Sequence, residues 1–153
     1  QSVVEDAVSN GFINYLGTTS DVLPIIREAD CMVLPSYREG ISRVLMEAAS
    51  MEKPIIATNV TGCREVINDG ETGFLCKVKS PVDLAHKMAK IINMTEKEKV
   101  VMGQKGRVKV IEEMDLEKII DIYDYKIAAV LGEEEGITVD LQELISLRKT
   151  KKI

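Results

Sequence analysis

Short runs of Val, Ile and Leu alternate with longer amphipathic stretches along the first half of this chain, and that alternation confines it to an α/β domain with a mainly parallel sheet. The strand candidates are Phe12 to Leu16, Cys31 to Leu34, Pro54 to Ala57 and Gly73 to Cys76. Between them, Asp21 to Ala29 and Arg43 to Met51 place their apolar residues at the three-and-four spacing of one buried helical face. After Cys76 the pattern is wholly helical. One helix starts at Ser80-Pro81, an N-cap followed by a first-turn proline, and carries Leu84, Met88 and Ile91 on one side. A second spans Thr95 to about Met114 and a third Leu116 to Leu131. Residues 1–132 form the expected domain, and 133–153, with Glu133-Glu134-Glu135 and a closing Lys-rich run, a tail.

A chain of 153 residues supports one core rather than two. Its net charge of −5 provides no basic surface for a phosphate backbone, so nucleic acid is not an expected partner. No apolar run approaches the ~20 residues of a membrane span. Cys31, Cys63 and Cys76 are odd in number and widely spaced, which fits neither a disulfide framework nor a zinc site and reads as reduced, cytoplasmic thiols. Doubly wound sheets usually have about six strands and open with one. Here the chain opens on a helical stretch, Val3 to Val8, so the first βα unit of such a domain is expected upstream of Gln1.

Open α/β sheets bind ligands beyond the carboxyl ends of their strands, which directs attention to the loops. The loop after Cys31 to Leu34 reads Pro35-Ser36-Tyr37-Arg38-Glu39-Gly40-Ile41-Ser42 and runs straight into a helix. With Ser42 as N-cap, the amides of Arg43, Val44 and Leu45 are left without partners at the positive end of that helix, an arrangement suited to an anion. Glu39 and Glu47 flank it, eight residues apart. A phosphate repels carboxylates, so the pair makes chemical sense only as acceptors for hydroxyls on either side of it, the layout of a sugar, a diphosphate and a ribose. On spacing alone, two solvated surface glutamates are the more common arrangement. The loop Thr58 to Arg64 carries Gly62, either a point of close backbone approach to a ligand or a plain turn residue. His86, opposite the apolar stripe of its helix, reads as an exposed polar residue rather than a base.

Five blocks in order carry a resemblance: Ala29-Asp30-Cys31-Met32-Val33-Leu34-Pro35-Ser36 with Glu39-Gly40, then Leu45-Met46-Glu47-Ala48, Lys53-Pro54-Ile55-Ile56-Ala57-Thr58, Gly62-Cys63-Arg64-Glu65, and Asp69-Gly70-Glu71-Thr72-Gly73-Phe74-Leu75. Together they resemble the C-terminal domain of family 4 retaining glycosyltransferases, from about Phe12 to Leu131, including the E-x7-E element at Glu39 and Glu47. The resemblance implies a Rossmann-like half of a two-domain GT-B enzyme that transfers a sugar from a nucleotide donor with retention and without a metal or other cofactor. It implies that Glu39 contacts the donor sugar as the catalytic carboxylate and that Glu47 binds the ribose. The diphosphate would meet the amides of Gly40, Ile41, Ser42, Arg43 and Val44, and the loop carrying Gly62 would face the donor cleft. The implied partner is an N-terminal acceptor-binding domain of the same parent chain, without which this chain is expected to be inactive. Members with a similar Arg43-Val44-Leu45 and Cys63-Arg64-Glu65 build bacterial surface polysaccharides, which implies a cytoplasmic enzyme peripheral to the inner membrane through that missing domain. The alternative is a non-catalytic nucleotide-binding or interaction module of the same fold. A dinucleotide-binding domain is disfavoured, because no strand-helix junction carries G-x-G-x-x-G.

Overall fold

The central strand decides how this chain folds. In the computed structural model, which describes residues 3–114 together with 120, 123 and 125–127, the strand Ile55–Thr58 is buried along its whole length. Its near-continuous apolar sequence is what a strand covered on both faces requires. It lies between Met32–Leu34 and Gly73–Cys76, and we number the three β1 (Met32–Leu34), β2 (Ile55–Thr58) and β3 (Gly73–Cys76). Both pairings are parallel, with Val33 opposite Ile56 and Ile56 opposite Phe74. Alternate residues of β2 therefore serve different cores. Ile55 and Ala57 pack with Leu45, Ala48, Ala49, Cys63 and Val66 on one face, while Ile56 packs with Ile91 and Met102 on the other.

Helices α1 (Val3–Ser9), α2 (Leu23–Glu28), α3 (Arg43–Ser50), α4 (Thr61–Val66), α5 (Pro81–Asn93) and α6 (Glu96–Glu113) complete the described fold. Their ends follow local chemistry. The Asp21 carboxylate accepts a hydrogen bond from the Leu23 amide at 3.0 Å, which delays the start of α2 by two residues from the expected Asp21. Ser80 caps α5 by accepting from the Asp83 amide. Thr95 and Glu98 form a reciprocal capping box at the start of α6. Gly103 lets α6 settle on the α3 side of the sheet. A Cβ at Gly103 would stand 1.8 Å from the Glu52 carbonyl oxygen, so no larger residue permits this crossing. Arg107 reinforces it by donating to the Ser50 carbonyl.

Two expectations change. Phe12 to Leu16 is not a strand but an exposed, irregular segment, with Phe12 at 81% exposure. The three described strands pair only with one another, and a segment with no strand beside it has no ladder to hold it. The loop expected from Thr58 to Arg64 instead contains α4. The helix expected from Leu116 to Leu131 and the tail from 133 fall, apart from residues 120, 123 and 125–127, outside the described residues.

Candidate functional site

The site grows from the carboxyl end of β1. Once the strand ends at Leu34, the chain has no neighbouring ladder to bond to, and it runs as an irregular loop to Ser42. From Gly40 to Val44, five consecutive peptide N–H groups find no acceptor among the described residues. Gly40, Ile41 and Arg43 are exposed along this run, whereas Ser42 is buried and Val44 half-buried. Ser42 occupies the N-cap position with extended backbone, as expected, yet its hydroxyl makes no capping bond. The Leu45 amide is not free. It donates to the Ser42 carbonyl at 3.2 Å, and Met46 donates to the same oxygen at 3.1 Å. The available run is therefore displaced toward the loop relative to the Arg43-Val44-Leu45 trio expected from sequence.

The two glutamates sit on either side of this run in different states. Glu47, on the second turn of α3, is half-buried and accepts from Arg43 Nε at 2.9 Å through Oε1. An i, i+4 spacing on a helix makes that pair local. Its Oε2 has no partner among the described residues. Beside it a groove of about 390 Å³ is walled by Leu23, Arg27, Met46 and Met51. Glu39 is half-buried and makes neither an ion pair nor a hydrogen bond among the described residues. Its charge is nonetheless felt. Burial pushes the Cys63 thiol above its ordinary range, and the negative charge of Glu39 adds to that push.

Gly62 explains how Glu39 is held. A Cβ there would meet the Gly40 carbonyl oxygen at 1.7 Å and the Glu39 carbonyl oxygen at 2.7 Å. The close approach seen at this glycine is to the Glu39-Gly40 backbone, on which the first turn of α4 rests. The sequence carries no signal for that contact beyond the glycine itself, because the six-residue α4 has no side-chain cap to announce it. Arg64, on the same helix, is tied back to the Asn59 side chain at 2.9 Å and to Thr61, stiffening the support. Arg38 is exposed, and His86 is exposed on α5 as expected. Among the described residues no group of His, Cys, Asp and Glu is arranged to hold a metal ion.

Comparison with known proteins gives this geometry a context. Residues 10–109 match the family described as glycosyl transferases group 1. The chain belongs to that family. This group 1 chain is 32% identical over 126 residues to the EpsD protein of Bacillus subtilis (strain 168), covering 80% of the chain and 33% of EpsD. It is 32% identical over 117 residues to the capsular polysaccharide biosynthesis glycosyltransferase CapM of Staphylococcus aureus, covering 76% and 30% respectively. The chain therefore spans about a third of the length of these relatives. In three dimensions it superposes on Anabaena HepE, solved in complex with UDP, with a TM-score of 0.75 at 20% identity, over 83% of this chain and 36% of that one. The shared architecture is the Rossmann-like half of a GT-B glycosyltransferase.

Proposed function

We propose that this chain is the donor-binding half of a retaining, metal-independent glycosyltransferase, and that its site takes a nucleoside-diphosphate sugar. The observation that carries the reading is the run of acceptorless amides from Gly40 to Val44 at the open tip of α3, bracketed by Glu39 and Glu47. A diphosphate is what such amides satisfy, because a helix N-terminus combines free donors with a positive dipole end. Glu47 Oε2 then accepts from the ribose, while Arg43 keeps the carboxylate aimed. Glu39 accepts from hydroxyls of the donor sugar at the reacting end. During transfer the bond from the anomeric carbon to the diphosphate breaks, negative charge builds on the departing oxygen, and donors fixed in advance stabilise it without reorganising.

Completion of the enzyme is assigned to an N-terminal acceptor-binding domain of the same parent chain, consistent with coverage of about a third of CapM and EpsD. The name of CapM supports a place in bacterial surface polysaccharide synthesis. Such an enzyme works in the cytoplasm, with any attachment to the inner membrane made through the other domain. No helix among the described residues is long and apolar enough to cross a membrane.

Titration of the chain with UDP and with UDP-glucose, read by calorimetry or amide chemical shifts, tests the reading. The expected result is that Glu47→Gln weakens both ligands about tenfold, as loss of a charge-assisted hydrogen bond implies. Glu39→Gln should weaken UDP-glucose more than UDP. Failure of UDP to perturb the Gly40 to Val44 amides at any concentration overturns it.

A further inference from the structure

All three strands end at a cavity that the donor reading leaves unused. It measures about 360 Å³, and its walls include Pro35 and Tyr37 beyond β1, Thr58 at the end of β2, Cys76 and Lys77 at the end of β3, and Lys79 on the approach to α5. This is where open α/β sheets place ligands. The Ser36 to Glu39 stretch forms a wall shared with the amide run, since Tyr37 lines the cavity and Glu39 faces α4.

The cavity inverts the charge of the molecule. The chain carries a net −5, yet Lys77 and Lys79 both stand at this opening and neither forms an ion pair among the described residues. The nearest acid on the adjoining helix, Asp83, is committed to the loop backbone, where its Oδ2 accepts from the Lys77 amide at 2.7 Å. Ser80 closes the same loop through the Asp83 amide. Lys79 is held in the left-handed region at φ 56° with its ammonium 5.7 Å from the Tyr37 ring centroid. A lysine pays about 1 kcal/mol or more to sit there, which a glycine would not. The segment is thus rigid and presents two cations and a phenol into a concave space too small for a membrane surface or a folded partner.

We propose that this cavity is a second anion subsite, in which Lys77 and Lys79 hold a phosphate group of an organic phosphate ligand, separate from the amide run at α3. A phosphate carries up to two charges and several acceptor oxygens, which two ammonium groups and the Tyr37 hydroxyl can meet together; a carboxylate would leave one cation unanswered. The inference stands independently of the donor reading. Its phosphate comes from a second ligand, an organic phosphate other than the donor.

Amide chemical shifts of the chain, titrated with inorganic phosphate against sodium chloride at matched ionic strength, test the site. The expected result is saturable movement of the Thr58 and Lys77 to Ser80 amides with phosphate alone, and at least fivefold weaker binding in Lys77→Gln/Lys79→Gly. Glycine accepts the positive φ, so the double variant keeps its fold. Glycerol 3-phosphate should still move Lys77 to Ser80 in UDP-saturated protein; its displacement by UDP overturns a separate subsite. Equal shifts with chloride, no saturation, or unchanged affinity in the double variant overturns it. Saturation here while UDP leaves Gly40 to Val44 unmoved would remove the donor reading and leave this subsite standing.

Discussion

The carbonyl oxygen of Gly40 lies 1.7 Å from the point where a Cβ on Gly62 would stand. Helix α4 and the loop carrying Glu39 therefore meet backbone to backbone. Gly62→Ala must push the two apart, and overpacking of this kind costs about 1–3 kcal/mol. The intrinsic helix preference of alanine returns only up to about 1 kcal/mol. Urea unfolding should show a net loss of stability, accompanied by weaker UDP-glucose binding as Glu39 shifts. An alanine variant as stable as the parent chain would show that the loop gives way freely and that Gly62 positions nothing.

Gly103 offers a comparison at the other end of α3. A Cβ there would stand 1.8 Å from the Glu52 carbonyl oxygen, in a turn where Glu52 itself adopts φ 57°. Gly103→Ala should cost about 1–3 kcal/mol by the same overpacking. Its effect should stop at stability, because the eight residues of α3 put roughly 12 Å between this turn and the Gly40 loop. Nucleotide titration below the unfolding transition should return the parent affinity. A change in affinity matching that of Gly62→Ala would mean that α3 moves as a rigid lever between the two contacts.

The contrast between these glycines shows what the sequence reveals and what it hides. The strands at 32–34, 55–58 and 73–76 were legible because β2 is covered on both faces and must be apolar throughout, and because Ser80 and Thr95 announce their helices through side-chain caps. The Glu39 and Glu47 pair was legible as spacing, and the open amides as a helix start. Hidden were the contacts made by backbone. Nothing in the letters around Gly62 distinguishes a glycine facing a ligand from one facing Gly40, and α4 is a six-residue helix without a side-chain cap. Phe12 to Leu16 misled for a different reason. Its pattern is that of a strand, but a strand exists only against a neighbour.

Arg43 tests whether pairing matters for stability or for aim. Its side chain is 88% exposed and its bond to Glu47 spans one helical turn. Pairs of this kind contribute about 0.3–0.5 kcal/mol, so Arg43→Ala should unfold within about 0.5 kcal/mol of the parent chain. UDP affinity should fall several-fold, because Glu47 loses the group that orients it. In a double-mutant cycle with Glu47→Gln the two losses should not add. Strict additivity would show that Arg43 acts on the ligand without Glu47.

Burial of Cys31 makes the stability of the fold depend on alkaline pH. Burial raises the Cys31 thiol from 9.0 to about 11, with the charge of Asp30 adding to the shift and a backbone hydrogen bond from Ile56 opposing it. Above pH 9 the unfolded chain therefore releases a proton that the folded chain retains, so the folded state binds more protons and stability must fall as pH rises. The fall begins near pH 9, where the unfolded thiol ionises, and levels off near 11, where the folded one does too. A two-unit difference corresponds to about 2.7 kcal/mol, and partial exposure of Cys31 reduces that to about 1–2 kcal/mol. Unfolding free energies measured from pH 8 to 11 should decline more steeply for the parent chain than for Cys31→Ala, and the difference between the two curves isolates this thiol from every other group. Parallel curves would mean that Cys31 ionises alike in the folded and unfolded chain, and that the edge of β1 is open to water.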